Sequence, residues 1–208
     1  MNQKRRILVA AVAALPFATR LAHAQGANFT ELKPPQPVET DGKIEVLEFF
    51  WYGCPHCYSL EPFIEAWSKK LAPDVAFRRT PAVFNERWAL DAAIFYAFEA
   101  LGVLGRLHRP LFDAIHQDHL RTDVKEARDQ WLQKNGVDPR KFEDTLKSFG
   151  VQSKLRRATQ QTVAYKIDGT PAMAVQGRYT VSAEQGRTQP GLLATVDRIV
   201  DGIRAKKL

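Results

Sequence analysis

Cys54 and Cys57 are the residues of this sequence whose type and spacing most clearly predict chemistry. They are the only cysteines in 208 residues, and Pro55 and His56 separate them. A disulfide that closes so small a loop removes little entropy from the unfolded chain and would be a poor structural crosslink. Thiol chemistry explains the spacing better, because a thiolate attacks a disulfide and a second, nearby thiol resolves the product.

Other uses of a cysteine pair fit the sequence less well. A zinc site needs about four ligands, and His56, lying between the cysteines, could not easily supply one of the two that are missing. Covalent haem attachment requires a histidine directly after the second cysteine, but Tyr58 stands there. We therefore expect no metal and no cofactor.

The elements on either side of the pair determine its chemistry. Residues 44–50 form a dense apolar run that predicts a strand buried on both faces. Cys54 then begins a helix with an apolar face made by Leu60, Ile64, Trp67 and Leu71. Free N–H groups and the positive end of the helix dipole favour a thiolate there, and Pro55 suits the first turn. His56 can add positive charge or a donor, while Cys57 faces inward.

The remaining pattern predicts an α/β fold with a mixed sheet. Residues 75–80 read as a strand parallel to 44–50, joined to it by a right-handed crossover. Further strands are predicted at 172–175 and 179–181, followed by a C-terminal helix. Residues 86–165 have helical spacing, so we expect a helical insert there, within a sheet domain formed by 25–85 and 166–208.

Residues 1–24 have the pattern of a cleavable signal peptide. Lys4-Arg5-Arg6 precede an apolar run, Ile7 to Phe17, and Ala22-His23-Ala24 supplies a small-x-small cleavage site. A membrane anchor fits less well, because the run is short and Pro16 interrupts it. Export by the twin-arginine route, through Arg5-Arg6, stays open.

The charge pattern does not favour nucleic-acid binding. Removing residues 1–24 lowers the formal net charge from +7 to +3, and the basic residues at 153–157 fit a solvated helix face. His116 and His119 share a face, but no third ligand is evident. We expect these two, and His108, to be surface histidines.

The run Phe49-Phe50-Trp51-Tyr52-Gly53-Cys54-Pro55-His56-Cys57-Tyr58 resembles the active-site segment of the DsbA family of periplasmic dithiol oxidases. Pro62 matches the proline that kinks the first helix of thioredoxin folds, and residues 169–173 resemble the family's cis-proline loop. The resemblance implies a thioredoxin-like mixed sheet with an inserted helical domain. It also implies a redox-active Cys54–Cys57 disulfide.

Three further site residues follow from this resemblance. Glu48 matches the family's buried acid, whose proposed role is to assist proton transfer at Cys57; alternatively it reaches solvent or pairs with Arg79. Thr170 and Pro171 would form the substrate-binding loop, with a cis bond between them. Many members carry valine where this chain has Thr170. Thr-Pro also occurs in related isomerases, which leaves the direction of the reaction open.

The function implied is donation of the disulfide to reduced, unfolded exported proteins in the periplasm, through a mixed disulfide. A membrane partner of the DsbB type would reoxidise the enzyme, which we expect to be a monomer. The alternatives are a disulfide isomerase or reductase, and a substrate-binding chaperone with a thioredoxin fold. Phe50, Trp51 and Tyr52 are either core residues or an apolar rim that grips substrates.

Overall fold

The computed structural model describes residues 28–40 and 42–208, so the predicted signal peptide lies outside the described residues. A five-stranded mixed sheet forms its centre, with the order β1-β5-β4-β2-β3. The strands are β1 Thr30–Glu31, β2 Ile44–Phe50, β3 Val75–Pro81, β4 Ala172–Val175 and β5 Tyr179–Ser182. The predicted parallel pairing of β2 with β3 is confirmed, and β4 joins β2 antiparallel on its other side.

Helices cover this sheet and fill the stretch between β3 and β4. They are α1 Pro55–Ser68, α2 Glu86–Ala100, α3 Leu104–His116, α4 Lys125–Lys134, α5 Pro139–Leu146, α6 Phe149–Ala164, α7 Ala183–Gly186 and α8 Gln189–Arg204. The helical character predicted between β3 and β4 is confirmed by α2 to α6. None of the helices in the described ranges is long and apolar enough to cross a membrane.

The sequence patterns did not predict two short elements. β1 is a two-residue strand that pairs antiparallel with β5, within what reads as an extended lead-in. α7 is a single turn, closed by a reciprocal capping box between Ser182 and Gln185. Elements of two to four residues are too short to show a helical or strand period, so tertiary contacts decide them.

Strand β2 is buried on both faces, as its sequence predicts. Val46 belongs to an apolar cluster with residues of α1 and α8, whereas Leu47 and Phe49 pack in a second cluster with Tyr165. At the end of the strand, Phe50 joins a third cluster, which contains both cysteines and apolar residues of α2 and α3. The cysteines therefore lie where the sheet meets the helices between β3 and β4.

Candidate active site

Cys54 is the N-cap of α1, as the sequence predicts. The chain turns after β2, the Cys54 amide donates to the Trp51 carbonyl at 3.0 Å, and α1 starts with Pro55. The Cys54 sulfur accepts a hydrogen bond from the backbone N–H of Cys57 at 3.4 Å. A helix N-terminus leaves such N–H groups without intrahelical partners, and here the sulfur takes one of them.

The pKa of Cys54 is lowered to about 5. The largest cause is a hydrogen bond from the Cys57 thiol, and partial burial opposes it. Further donors are the Thr170 side chain and the backbone N–H groups of Cys57 and His56. The His56 side chain is exposed, and it is the backbone N–H of His56 that lowers the pKa of Cys54. Cys54 is therefore a thiolate at neutral pH.

Cys57 behaves in the opposite way. It is fully buried, and burial raises its pKa well above the ordinary value. The hydrogen bond that it donates to Cys54 and the negative charge of the Cys54 sulfur raise it further. At neutral pH Cys57 therefore keeps its proton, whereas Cys54 has lost its own. This arrangement presents one nucleophile and one protonated reserve thiol.

The predicted cis-proline loop faces this sulfur. The Thr170–Pro171 bond is cis, as expected. As a thiol, Cys54 donates to the Thr170 carbonyl with the sulfur 3.3 Å from that oxygen. Pro171 is buried and Thr170 half-buried. The loop thus forms one wall beside the nucleophile, next to the start of β4.

Glu48 lies on β2 with its side chain fully buried. It does not reach solvent, but it does pair with Arg79, whose Nε donates to Oε2 at 3.0 Å. Its other oxygen, Oε1, has no hydrogen-bond partner among the described residues. Burial raises the pKa of Glu48, Arg79 lowers it, and the charge of Glu61 raises it again, with a net increase. The charge of Glu48 in turn raises the pKa of Cys57.

Two further buried groups adjoin this pair, and sequence reasoning missed both. Glu61 of α1 is fully buried and accepts from Arg79 Nη2 at 3.1 Å. The expectation that His108 is a surface residue is wrong, because it is buried and lies 3.3 Å from Glu61. A signal for Glu61 existed, since it follows Cys57 by one helical turn on the buried face of α1.

The other two histidines differ from each other. His119 is exposed, as expected, whereas His116 is half-buried and its Nε2 donates to the Tyr52 carbonyl at 2.8 Å. No group of three or more His, Cys, Asp or Glu side chains in residues 28–40 and 42–208 is arranged to hold a metal ion.

The flanking aromatics divide between core and surface. Phe50 and Tyr52 are fully buried, so they are core residues and cannot form a rim. Trp51 is half-buried, stacks on Trp88 with ring centroids 4.2 Å apart, and donates to Asp91 at 2.8 Å. Trp51 alone of these three keeps an accessible face.

A mixed sheet with an inner strand that leads into a helix, capped by the first cysteine of a Cys-x-x-Cys pair, defines the thiol:disulfide oxidoreductases with a thioredoxin-like fold. Residues 45–191 match the DSBA-like thioredoxin domain family. The thiol:disulfide interchange protein DsbA of Burkholderia cepacia is 39% identical over 197 residues, covering 94% of this chain and 93% of that protein. The chain belongs to the DSBA-like thioredoxin domain family, and it is a thiol:disulfide oxidoreductase.

Two other relatives agree with this placement. DsbA of Bordetella parapertussis is 40% identical over 198 residues, which cover 94% of both chains. The crystal structure of Pseudomonas aeruginosa DsbA superimposes with a TM-score of 0.82 at 38% identity, covering 88% of this chain and 95% of that one. The thioredoxin-like fold expected from the sequence is thereby confirmed.

Proposed function

We propose that this protein is a periplasmic dithiol oxidase, which donates its Cys54–Cys57 disulfide to reduced, unfolded exported proteins. The unequal surroundings of the two thiols carry the proposal: Cys54 caps α1 and accepts a backbone hydrogen bond, which favours its thiolate, whereas Cys57 is fully buried, which raises its pKa. A thiolate held by the fold stabilises the reduced protein, and a stable reduced form makes the disulfide a good oxidant.

The reaction proceeds through one mixed disulfide. A client thiolate attacks the Cys54 sulfur, the Cys54–Cys57 bond breaks, and Cys57 leaves as a thiolate that takes up a proton. A second client thiolate then attacks the client sulfur of the mixed disulfide. Cys54 leaves as the stabilised thiolate, the client gains a disulfide, and the enzyme is left with two reduced cysteines.

The neighbouring residues have separate roles in this proposal. Glu48 is buried, one of its oxygens has no partner among the described residues, and its charge acts on Cys57; in this proposal it supplies the proton that the departing sulfur needs. Thr170 and Pro171 form the wall along which the client backbone lies. Pro55 and His56 shape the first turn of α1, whose N–H groups hold the Cys54 thiolate.

The location and partners of the enzyme follow from the resemblance and the N-terminal pattern. We place the mature protein in the periplasm after removal of residues 1–24, acting as a monomer without a cofactor. A membrane protein of the DsbB type would reoxidise it. We further propose that 25–85 and 166–208 form the thioredoxin-like domain and 86–165 the helical insert; helices α2 to α6 occupy the latter range.

Mixing the oxidised protein with a reduced, unfolded protein that has two cysteines tests the oxidase function. We expect one client disulfide per enzyme molecule within a single turnover, and none with Cys54→Ser. An enzyme that keeps its disulfide in this assay, yet reduces insulin with glutathione as electron donor, would be a reductase instead.

The same variant separates catalysis from simple binding. A chaperone whose disulfide is incidental would suppress aggregation of the client equally well with and without Cys54. Full aggregation suppression by Cys54→Ser, together with no disulfide transfer by the wild-type protein, would therefore favour the chaperone.

A further inference from the structure

A continuous network of side chains, buried except for the partly exposed Arg79, leads from Glu48 on β2 into the helices between β3 and β4. Glu48 is bound by Arg79, and Arg79 also binds Glu61. Glu61 Oε1 lies 3.3 Å from Nε2 of His108. Nδ1 of His108 lies 2.9 Å from the Tyr52 hydroxyl, which ends the network. Catalysis as proposed above uses only the first member, Glu48.

The hydrogen-bond partners of His108 determine which of its two ring nitrogens carries a proton. Glu61 is ionised, because burial, which raises its pKa, is outweighed by the hydrogen bond from His108 and by the positive charges of Arg79 and Arg109. A carboxylate offers only acceptors, so Nε2 of His108 carries a proton that it donates to Glu61. Burial keeps the pKa of His108 low, so the ring is neutral and Nδ1 accepts from the Tyr52 hydroxyl.

Arg79 carries one positive charge and binds two buried carboxyl groups, those of Glu48 and Glu61. Glu61 has a second donor, His108, on its other oxygen. Glu48 has no such donor, since its Oε1 is unpartnered among the described residues. Of two like charges competing for one cation, the better solvated one stays ionised and the other takes a proton. The His108 hydrogen bond therefore decides which of the two acids is ionised.

Other charged groups also face this network. Glu65 of α1 lies near His108, and its charge favours the protonated ring, while Arg79 opposes protonation. His108 and Arg79 both line a cavity of about 510 Å³, whose wall also holds Glu99, Arg109 and Lys154. Two members of the network, Arg79 and His108, thus lie beside a cavity with charged walls.

We propose that His108 is a positioning residue of the redox site, which holds Glu61 ionised on Arg79 and thereby leaves Glu48 protonated to serve Cys57. This rests on the proposed function. When a client opens the disulfide, the proton passes from the Glu48 carboxyl to the Cys57 thiolate, giving a thiol and a carboxylate. Glu48 regains a proton from solvent before the next turnover.

Loss of the His108 donor has a defined consequence. Without it Glu61 becomes easier to protonate, Arg79 pairs with Glu48 alone, and Glu48 loses its proton at a lower pH. Leucine is compatible with the site, because the rings of Phe50, Phe95 and Phe112 surround His108 at 5.3 to 5.9 Å. Glutamine keeps a side-chain N–H where His108 has Nε2.

The test follows the Glu48 carboxyl carbon by ¹³C NMR from pH 5 to 10 in the oxidised protein, where neither cysteine titrates. Glu48→Gln assigns the signal. We expect His108→Leu and Glu61→Gln each to lower the titration midpoint by about one pH unit or more. His108→Gln, which keeps a donor to Glu61, should have the wild-type midpoint. Tyr52→Phe removes the hydrogen bond to Nδ1 of His108, and it should also leave the Glu48 midpoint unchanged.

A wild-type midpoint in His108→Leu would overturn the proposal. If that variant fails to fold, His108→Met, which also lacks a donor to Glu61, decides by the same criterion. The readout does not depend on turnover: a wild-type protein that transfers no disulfide, but whose Glu48 responds as described, refutes the proposed function and not the network.

Discussion

At the residue scale, the chemistry of this protein comes from two thiols in unlike surroundings. Cys54 caps a helix and receives several hydrogen bonds, so its pKa falls to about 5. Cys57 lies one turn further on, fully buried, and its pKa rises. The same chemical group is therefore suited to act as nucleophile at one position and as protonated reserve at the other.

We expect alkylation of the reduced protein to label Cys54 and spare Cys57. At pH 6 Cys54 should react about tenfold faster than an ordinary cysteine, because its larger thiolate fraction outweighs its lower nucleophilicity. The rate should fall only as pH drops towards 5, the pKa of Cys54. Iodoacetamide labelling with peptide mapping measures this, and protein unfolded in urea should label both cysteines equally. Preferential labelling of Cys57 in the folded protein would refute the assignment.

Glu48→Gln should slow single-turnover oxidation of a client by roughly tenfold or more at pH 7, because it removes the proposed proton donor to Cys57. The raised pKa of Glu48 means that wild type holds the proton at neutral pH and loses it as pH rises through about 8. The ratio of wild-type to mutant rate should therefore fall towards one above that pH.

Glu45→Gln is the matched control for this prediction. Glu45 is also a buried acid of β2 and pairs with Arg78 at 3.0 Å, but it lies on the opposite face of the strand from Glu48. Its substitution should leave the oxidation rate close to wild type. Equal rates for Glu48→Gln and wild type from pH 5 to 8 would exclude a proton-donor role.

At the element scale, the junction between β2 and α1 positions the site. Trp51 folds back over Gly53, and a Cβ atom at Gly53 would lie 2.3 Å from its indole ring. The stack on Trp88 and the hydrogen bond to Asp91 hold that ring in place. The residue before Cys54 must therefore be small for Trp51 to pack as it does.

Gly53→Ala should destabilise the fold by about 1–3 kcal/mol, because either the indole or the backbone before Cys54 has to move. Urea unfolding measures the loss. Gly150→Ala is the control: its Cβ meets nothing within 4 Å, and alanine favours the helix α6 in which it lies. A Gly53→Ala protein as stable as wild type would show that Trp51 is free to move.

Sequence patterns predicted these elements well where local signals are strong. The apolar run of β2, Pro55 at the first turn of α1 and the motif itself were sufficient to locate the nucleophile. They could not show that His108 is buried, because that depends on how α3 packs on α1, far away in sequence. Glu48 could be placed on a buried strand, but whether its charge is fully compensated depends on Glu61 and Arg79 together.

At the scale of the whole molecule, the α/β order of elements and the sheet pairing follow from patterns spanning whole strands and helices. The edge strand β1 and the turn α7 do not, because contacts with β5 and α8 create them. The redox site depends both on local sequence patterns and on contacts between distant segments. Local helix geometry determines the environment of Cys54, whereas contacts between distant segments determine that of Glu48, the proposed proton donor.

The difference in stability between the reduced and oxidised folds should also indicate the direction of the reaction. The reduced fold lowers the pKa of Cys54 from its ordinary value near 9 to about 5. This stabilisation is complete above pH 9 and is lost as pH falls to about 5; near pH 7 it is on the order of 2 kcal/mol, allowing for solvent screening. The oxidised form has no thiolate, and its small disulfide loop adds little entropy.

Urea unfolding of the oxidised and reduced proteins at pH 7 therefore tests the central claim most directly. We expect the reduced form to unfold at the higher urea concentration, and the gap between the two forms to narrow as the pH is lowered from 8 to 5. Cys54→Ser, which cannot form the disulfide, should lack the pH dependence that the Cys54 thiolate gives to the stability of the reduced wild-type protein. An oxidised form that unfolds at the higher urea concentration would contradict the oxidase function and favour a reductase.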